Sequence, residues 1–298
     1  MYKTNVTELI GGTPLLKLGQ TNVYAKLEHF NPLHSIKDRA ALYMLKGALE
    51  RGEIGEGGTV IEPTSGNTGV GLSYIAPQFG IKSIMVMPDN MSKERIAILK
   101  SLGAEIVLTP AKLGMQGAIE KARELHQNTP NSFIPNQFEN LDNPRAHELT
   151  TAKEIIDDLG DVTPDYLVAT FGSGGTISGL GKALKERYPN LKVVAVEPKE
   201  SPLLSEGKAG PHKIQGIGAN FIPAILNKDI IDSVLAVSGD DAIGTALYAA
   251  RTYGTFVGIS SGAALKASLE LASKYPDANI ITVFPDTGER YLSTFETK

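Results

Sequence analysis

Short apolar runs rich in β-branched residues recur along the chain, at residues 23–28, 59–63, 83–87, 105–109, 166–170, 192–197, 233–237 and 279–284. Gly, Pro, Asn or Asp residues bound most of them, which predicts strands. Between them lie longer segments with apolar residues at helical spacing: 36–50, 68–79, 93–102, 115–127, 145–159, 176–188, 240–253 and 262–274. The strand runs are apolar throughout rather than alternating, as in parallel sheets covered by helices on both faces. Strand and helix alternate nearly to the end, so the expected fold is α/β with parallel sheets. Eight strands would also suit a closed (β/α)₈ barrel, whose catalytic residues lie at successive strand ends. Here marked glycine clusters follow only some strands, which favours open sheets. The stretch 128–143, rich in Asn, Pro and Asp, reads as a connection between two sheet units, and 198–223 as an irregular loop.

The chain has 298 residues, enough for one large or two ordinary domains. Apolar residues make up 42% and charged residues 21%, the balance of a globular protein with an aqueous surface. The net charge of −4 and the lack of any basic run give no electrostatic case for nucleic acid or an anionic membrane as partner. Cysteine is absent, which removes disulfides, thiolate metal sites and a Cys nucleophile. The five histidines, at 29, 34, 126, 147 and 212, show no metal-ligand spacing, so no metal is expected. The N-terminal residues lack an apolar signal core and no apolar run nears 18 residues, so the expected location is cytoplasmic.

Candidate chemistry concentrates at strand-to-helix turns. Lys37 lies in Asn31-Pro32-Leu33-His34-Ser35-Ile36-Lys37-Asp38-Arg39, directly after the first long strand run. Ser35 fits a helix cap, which puts Lys37 in the first turn of the helix that follows. A lysine is ordinarily a solvated surface residue. At a helix N-terminus, however, the macrodipole disfavours an ammonium, and burial there would favour the neutral, nucleophilic amine. Gly172-Ser173-Gly174-Gly175-Thr176 follows a strand and opens a helix, so its amides can converge on an anion. The glycine spacing is neither a dinucleotide fingerprint nor a P-loop, and a plain glycine-rich turn is the simpler alternative. Glu62-Pro63-Thr64-Ser65-Gly66-Asn67-Thr68-Gly69 concentrates hydroxyls, an amide and free N–H groups that suit a small carboxylate. Ordinary helix capping would use the same residues. Gly258-Ile259-Ser260-Ser261-Gly262 and Gly216-Ile217-Gly218-Ala219-Asn220 are two further small-residue turns. Four such turns with a candidate lysine suggest a site assembled from loops at one sheet edge. No GxSxG elbow is present to support a hydrolase. A small-molecule binding protein without catalysis would also keep the anion loops, but it would not need an amine at position 37.

The segments Ser35-Ile36-Lys37-Asp38-Arg39, Thr64-Ser65-Gly66-Asn67-Thr68 and Gly172-Ser173-Gly174-Gly175-Thr176, in this order and spacing, resemble the pyridoxal-phosphate enzymes of the tryptophan-synthase β fold. Within that fold they look like the cysteine synthase and cystathionine β-synthase branch. Matching segments run from Leu9-Ile10-Gly11-Gly12-Thr13-Pro14-Leu15 to Gly288-Glu289-Arg290-Tyr291-Leu292-Ser293, so the resemblance covers essentially the whole chain. It implies fold type II: two open parallel-sheet domains, a larger cofactor-binding one of residues 1–38 and 146–298 and a smaller mobile one of residues 39–145. It also implies pyridoxal 5′-phosphate as cofactor, an amino acid and a sulfur nucleophile as substrates, and a homodimer.

The resemblance implies residue roles as well. Lys37 binds the cofactor covalently and later moves the substrate Cα proton. Gly172, Ser173, Gly174, Gly175 and Thr176 hold the phosphate, Asn67 the 3′ oxygen and Ser260 the pyridine nitrogen. Thr64, Ser65, Gly66, Asn67, Thr68 and Gln137 receive the substrate carboxylate, and Gly216 lines the amino-acid pocket. A hydroxyl at the pyridine nitrogen leaves the ring neutral, a weaker electron sink that favours loss of a β-substituent over transamination. The implied reaction is O-acetyl-L-serine plus sulfide giving L-cysteine and acetate. The alternative is cystathionine or lanthionine formation, with homocysteine or cysteine as nucleophile. Gly216-Ile217-Gly218-Ala219 looks like the sulfide-using form. Two departures bear on the second substrate: Leu33-His34 stands where a small, glycine-rich pair is usual, and Asn220 where Gly or an acidic residue is usual.

Overall fold

The computed structural model describes residues 2–296. Ten strands form among them: β1 (Leu15–Lys17), β2 (Val23–Leu27), β3 (Thr59–Pro63), β4 (Lys82–Pro88), β5 (Glu105–Thr109), β6 (Ser132–Phe133), β7 (Tyr166–Thr170), β8 (Lys192–Pro198), β9 (Ser233–Val237) and β10 (Ile280–Phe284). The chain divides into two compact units. One comprises Met1–Ile10 and Lys37–Asn143, the other Gly11–Ile36 and Pro144–Lys298. Each is an α/β unit around one sheet. No helix among the described residues is long and apolar enough to cross a membrane.

The smaller unit has a four-stranded sheet in the order β5-β4-β3-β6, all parallel. Ile61 and Val86 pack with Ala118 and Ala122 of the helix Gly114–Asn128 against one face. The helices Lys37–Glu50 and Asn67–Ile75 pack on each other, and a Cβ on Gly71 would stand 3.2 Å from the carbonyl oxygen of Lys37. A side chain at this position would force its neighbours back by a few tenths of an ångström, so glycine suits the close approach of the second helix to the first turn of the helix that Lys37 opens. Residues 128–143, expected as a plain connection, instead supply β6 and the segment that carries Gln137. A two-residue strand has no periodicity to reveal it.

The larger unit has a six-stranded sheet in the order β1-β2-β10-β7-β8-β9. Its pairings are parallel except for β1, which runs antiparallel to β2 at the edge. Every residue of β10 is buried. One apolar layer, containing Val168, Val194, Ile259 and Phe284, covers one face, and a second, containing Leu167, Ala169, Ile177 and Leu180, covers the other. That two-sided burial explains the uniformly apolar strand runs. Lys26 is fully buried on β2, where its ammonium meets Glu154 at 3.1 Å and Asp158 at 3.0 Å. These two carboxylates sit one turn apart on the helix Ala152–Leu159. The single helix expected over 145–159 starts at Asp142 and contains a π-helical stretch, His147–Thr151. A Cβ on Gly179 would stand 2.2 Å from the Pro144 carbonyl there, so the helix Gly175–Arg187 approaches almost to backbone contact.

Candidate active site

In the smaller unit the chemistry gathers at the C-terminal end of β3. The helix Lys37–Glu50 begins at Lys37 itself, which is half-buried. Ser35, expected as its cap, lies two residues earlier and pairs with Asp286 in a short antiparallel bridge. The next residue, Ile36, donates its N–H to the Pro285 carbonyl at 2.8 Å, so the backbone entering the lysine is pinned. After β3 the chain turns through Thr64, Ser65 and Gly66 into the helix Asn67–Ile75. Thr64 is buried and its hydroxyl accepts the Gly66 N–H at 3.2 Å. The cap of that helix is Gly66, with no side-chain cap bond. The buried Thr68 hydroxyl donates to the Gln137 amide oxygen at 2.7 Å. Five of the residues expected to meet a carboxylate, Thr64, Ser65, Gly66, Asn67 and Thr68, thus form one turn, and Gln137 is bonded to it from a segment about 70 residues away.

Sequence reasoning missed Glu62. It is 2% exposed on β3, and its carboxylate accepts the Asn136 backbone N–H at 3.1 Å and the Gln137 side-chain amide at 3.5 Å. Burial pushes this carboxyl up to about 7, against the pull of those donors. A glutamate at the end of an apolar strand run gives no signal of this, because its burial comes from tertiary packing.

In the larger unit Gly172–Thr176 forms the turn from β7 into the helix Gly175–Arg187. The first N–H groups of that helix have no acceptor within it and point out of its positive end. A Cβ on Gly172 would stand 2.2 Å from the Gly216 carbonyl oxygen, so the two glycine loops lie backbone to backbone. Ser173 is buried, and the Thr176 hydroxyl lies 3.4 Å from Nε2 of the buried His147. His147 is a second residue the sequence did not point to; the π-helical stretch sets it facing Thr176. Ser260 is buried in the first turn of the helix Ile259–Lys274, whose cap is Gly258. Neither Ser260 nor Ser261 occupies the cap position, so helix capping does not account for them.

Leu33 and His34 have a backbone explanation. His34 adopts φ +57°, the left-handed region where glycine is at ease, which is why a small pair is usual in this turn. Its exposed ring places Nδ1 3.1 Å from the His29 carbonyl oxygen, and its own carbonyl accepts the Thr287 N–H at 3.3 Å. The Leu33 carbonyl accepts from the Arg290 guanidinium. Burial and the charge of His34 hold the His29 imidazole below its ordinary range.

The donor chemistry fits pyridoxal phosphate. A glycine turn at a helix N-terminus with flanking Ser and Thr hydroxyls suits a phosphate, and an amine heads a helix whose neighbouring loop offers neutral donors. The chain belongs to the pyridoxal-phosphate dependent enzyme family, whose model matches residues 6–286. It is 55% identical over 291 residues to cysteine synthase B of Campylobacter jejuni, with 97% of each chain covered. It resembles the crystal structure of O-acetyl serine sulfhydrylase isoform 3 from Entamoeba histolytica, with TM-score 0.94 and 42% identity over 98% of this chain and 91% of that one. It also resembles an O-acetylserine dependent cystathionine β-synthase from Helicobacter pylori, with TM-score 0.91 and 41% identity over 98% of both chains.

Proposed function

We infer that the chain is a cysteine synthase that uses pyridoxal 5′-phosphate to exchange the acetoxy group of O-acetyl-L-serine for sulfide, giving L-cysteine and acetate. The observation that best supports this reading is the polar set at the end of β3. Thr64, Ser65, Gly66, Asn67, Thr68 and Gln137 offer neutral donors of the kind that hold an amino acid's carboxylate, in a chain whose family brings the cofactor. The bound cofactor supplies an electron sink for the pair left at Cα when its proton departs.

The chain's own residues do the rest. Lys37 would hold the cofactor through its ε-nitrogen and, once freed, its amine would accept the proton from the substrate Cα. The amides of Gly172, Ser173, Gly174, Gly175 and Thr176 and the two hydroxyls among them would hold the phosphate. Asn67 would bond the 3′ oxygen, and Ser260 would donate to the pyridine nitrogen without protonating it. The Thr64–Thr68 turn and Gln137 would receive the substrate carboxylate, and the loop of Gly216 would line the amino-acid pocket. Residues 39–145 act as the smaller, mobile domain, and residues 1–38 and 146–298 as the larger, cofactor-binding one. The enzyme works as a homodimer in the cytoplasm.

A second reading, in which homocysteine or cysteine replaces sulfide, is favoured by the likeness to the Helicobacter enzyme and by Leu33-His34 and Asn220. Assaying O-acetylserine with sulfide, cysteine and homocysteine in parallel decides between them. The highest kcat/KM with sulfide supports cysteine synthesis. No turnover with any of the three, by protein carrying the cofactor's visible absorbance, would defeat both readings.

A further inference from the structure

Three side chains of the smaller unit form a continuous hydrogen-bonded line. The buried Glu62 carboxylate accepts the Gln137 amide N–H, and the Gln137 amide oxygen accepts the Thr68 hydroxyl at 2.7 Å. The backbone N–H groups of Asn136 and Gln137 also point at the carboxylate. The line has a direction. An ionised Glu62 only accepts, so it keeps the amide nitrogen towards itself and the amide oxygen towards Thr68. Thr68 has one proton, and in this arrangement that proton is spent on Gln137.

The ionisable groups on the elements around Glu62 are few and peripheral. β4 contributes Lys82 at its exposed start, and β6 contributes none. The helix Asn67–Ile75 contributes only Tyr74, which is half-buried. The helix Gly114–Asn128 carries Glu120, Arg123, Glu124 and His126, all exposed, and Lys121, which pairs with Glu124 at 2.7 Å. The segment after β6 carries Glu139, bonded to the Asn136 side chain, and Asp142, paired with Arg51 at 2.7 Å. Burial and the N–H donors therefore govern Glu62, and among the described residues on these elements no cation is paired with its charge.

We propose that Glu62 is a positioning residue whose protonation reverses the Gln137–Thr68 hydrogen bond, so that the amino-acid substrate's carboxylate binds with uptake of one proton by Glu62. This rests on the assignment of Thr68 and Gln137 to the substrate carboxylate. The proton comes from solvent and goes to a Glu62 carboxylate oxygen, which then donates to the Gln137 amide oxygen. The amide turns over and presents its nitrogen to Thr68. The Thr68 hydroxyl now accepts from Gln137, and its proton is free to donate to the incoming carboxylate. Neutralising Glu62 also removes a like charge from the neighbourhood of that anion. The buried carboxyl titrates close to neutral pH, within reach of such a coupling.

Propionate tests this on the holoenzyme, because it is a carboxylate without an amine and leaves the Lys37 linkage intact. Calorimetric titration at pH 6, 7 and 8, in buffers of different ionisation enthalpy, reads affinity and proton uptake together. The expected result is uptake that grows above pH 7 and an affinity that falls there by up to tenfold per pH unit. In Glu62→Gln, where the residue is always neutral, the uptake and the pH dependence should both vanish. Propionate binding without proton uptake by the wild-type enzyme overturns the proposal, and so does unchanged uptake in Glu62→Gln. The wild-type measurement decides even if that variant fails to fold. Thr68→Val separates the two readings. If it leaves propionate affinity unchanged, the carboxylate assignment falls and takes the proposal with it. If it abolishes an affinity that is pH-independent in wild type, the proposal alone falls.

Discussion

Gly172→Ala adds one methyl group where two backbones meet. Its carbon would stand 2.2 Å from the Gly216 carbonyl oxygen, whereas ordinary contact begins at about 3.4 Å. Relief needs about 1.2 Å of displacement, the difference between the two. Neither partner is a side chain that can rotate away, so one of the two glycine loops must move. Overpacking of this kind costs about 1–3 kcal/mol, and the unfolding midpoint should fall by several degrees. Catalysis should suffer more than stability. A shift of about 1 Å in a loop proposed to hold the cofactor phosphate should cost on the order of 100-fold in kcat/KM. Gly181→Ala is the matched comparison. Gly181 lies on the helix that follows Gly172, its methyl would meet the end of the Ile230 side chain at 2.6 Å, and a flexible side chain can give way. Visible absorbance after dialysis reads cofactor retention, thermal melts read the fold, and initial rates read the loop. Retention and kcat/KM within twofold of wild type in Gly172→Ala would refute the cradle at Gly172–Thr176.

Other substitutions probe the remaining parts. Lys37→Ala should abolish turnover and leave the circular dichroism unchanged, because no other amine is assigned to the cofactor; residual wild-type activity would end the mechanism. His34→Gly should raise stability by about 0.5–1 kcal/mol, since it relieves φ +57° at the loss of one exposed bond to His29. A lower melting temperature would show that the imidazole bond matters more. Leu33→Gly/His34→Gly should change the ratio of kcat/KM among sulfide, cysteine and homocysteine if the pair gates the nucleophile, and equal scaling of all three would leave it as turn structure. Glu62→Gln carries a pH signature in stability. The folded-state pKa is raised from 4.5 to about 7, so its contribution is fully present below 4.5 and is lost as pH rises through 7. The gap of 2.5 pH units is worth up to about 3 kcal/mol, so the variant's advantage in urea midpoint should be absent at pH 5 and present at pH 8.

Most of the sheet framework could be read from residue order alone. The runs at 59–63, 105–109, 166–170 and 233–237 became strands with those same bounds; the inner strands 59–63 and 166–170 are mostly buried, whereas the edge strands 105–109 and 233–237 are largely uncovered and were marked by their β-branched residues. β1 and β6 escaped notice, since three and two residues are too few for a period. The turns at 64–68 and 172–176 were legible through their small and hydroxylated residues. What escaped were features that exist only after packing. Glu62 becomes unusual when donors from residues 136 and 137 close over it. His147 becomes relevant when a π-helical stretch turns it to Thr176. The left-handed backbone at His34 is invisible in a sequence that places a bulky residue there.

The place of β10 between β2 and β7 has a consequence for how the protein is made. Val23 pairs with Ile280, 257 positions later (280 − 23). At roughly 5–20 residues per second on the ribosome, β2 waits roughly 13–50 s for its parallel neighbour. Meanwhile Lys37–Asn143, which supplies all four strands of the smaller sheet, has emerged whole and can close on itself. The larger sheet is the opposite case: until its last strand arrives, two inner edges with apolar faces stand open. Chains stalled or cleaved before Ile280 should therefore be the aggregation-prone species. Quality control of this enzyme would then fall on the arrival of β10, far in sequence from Lys37, the lysine of the proposed mechanism.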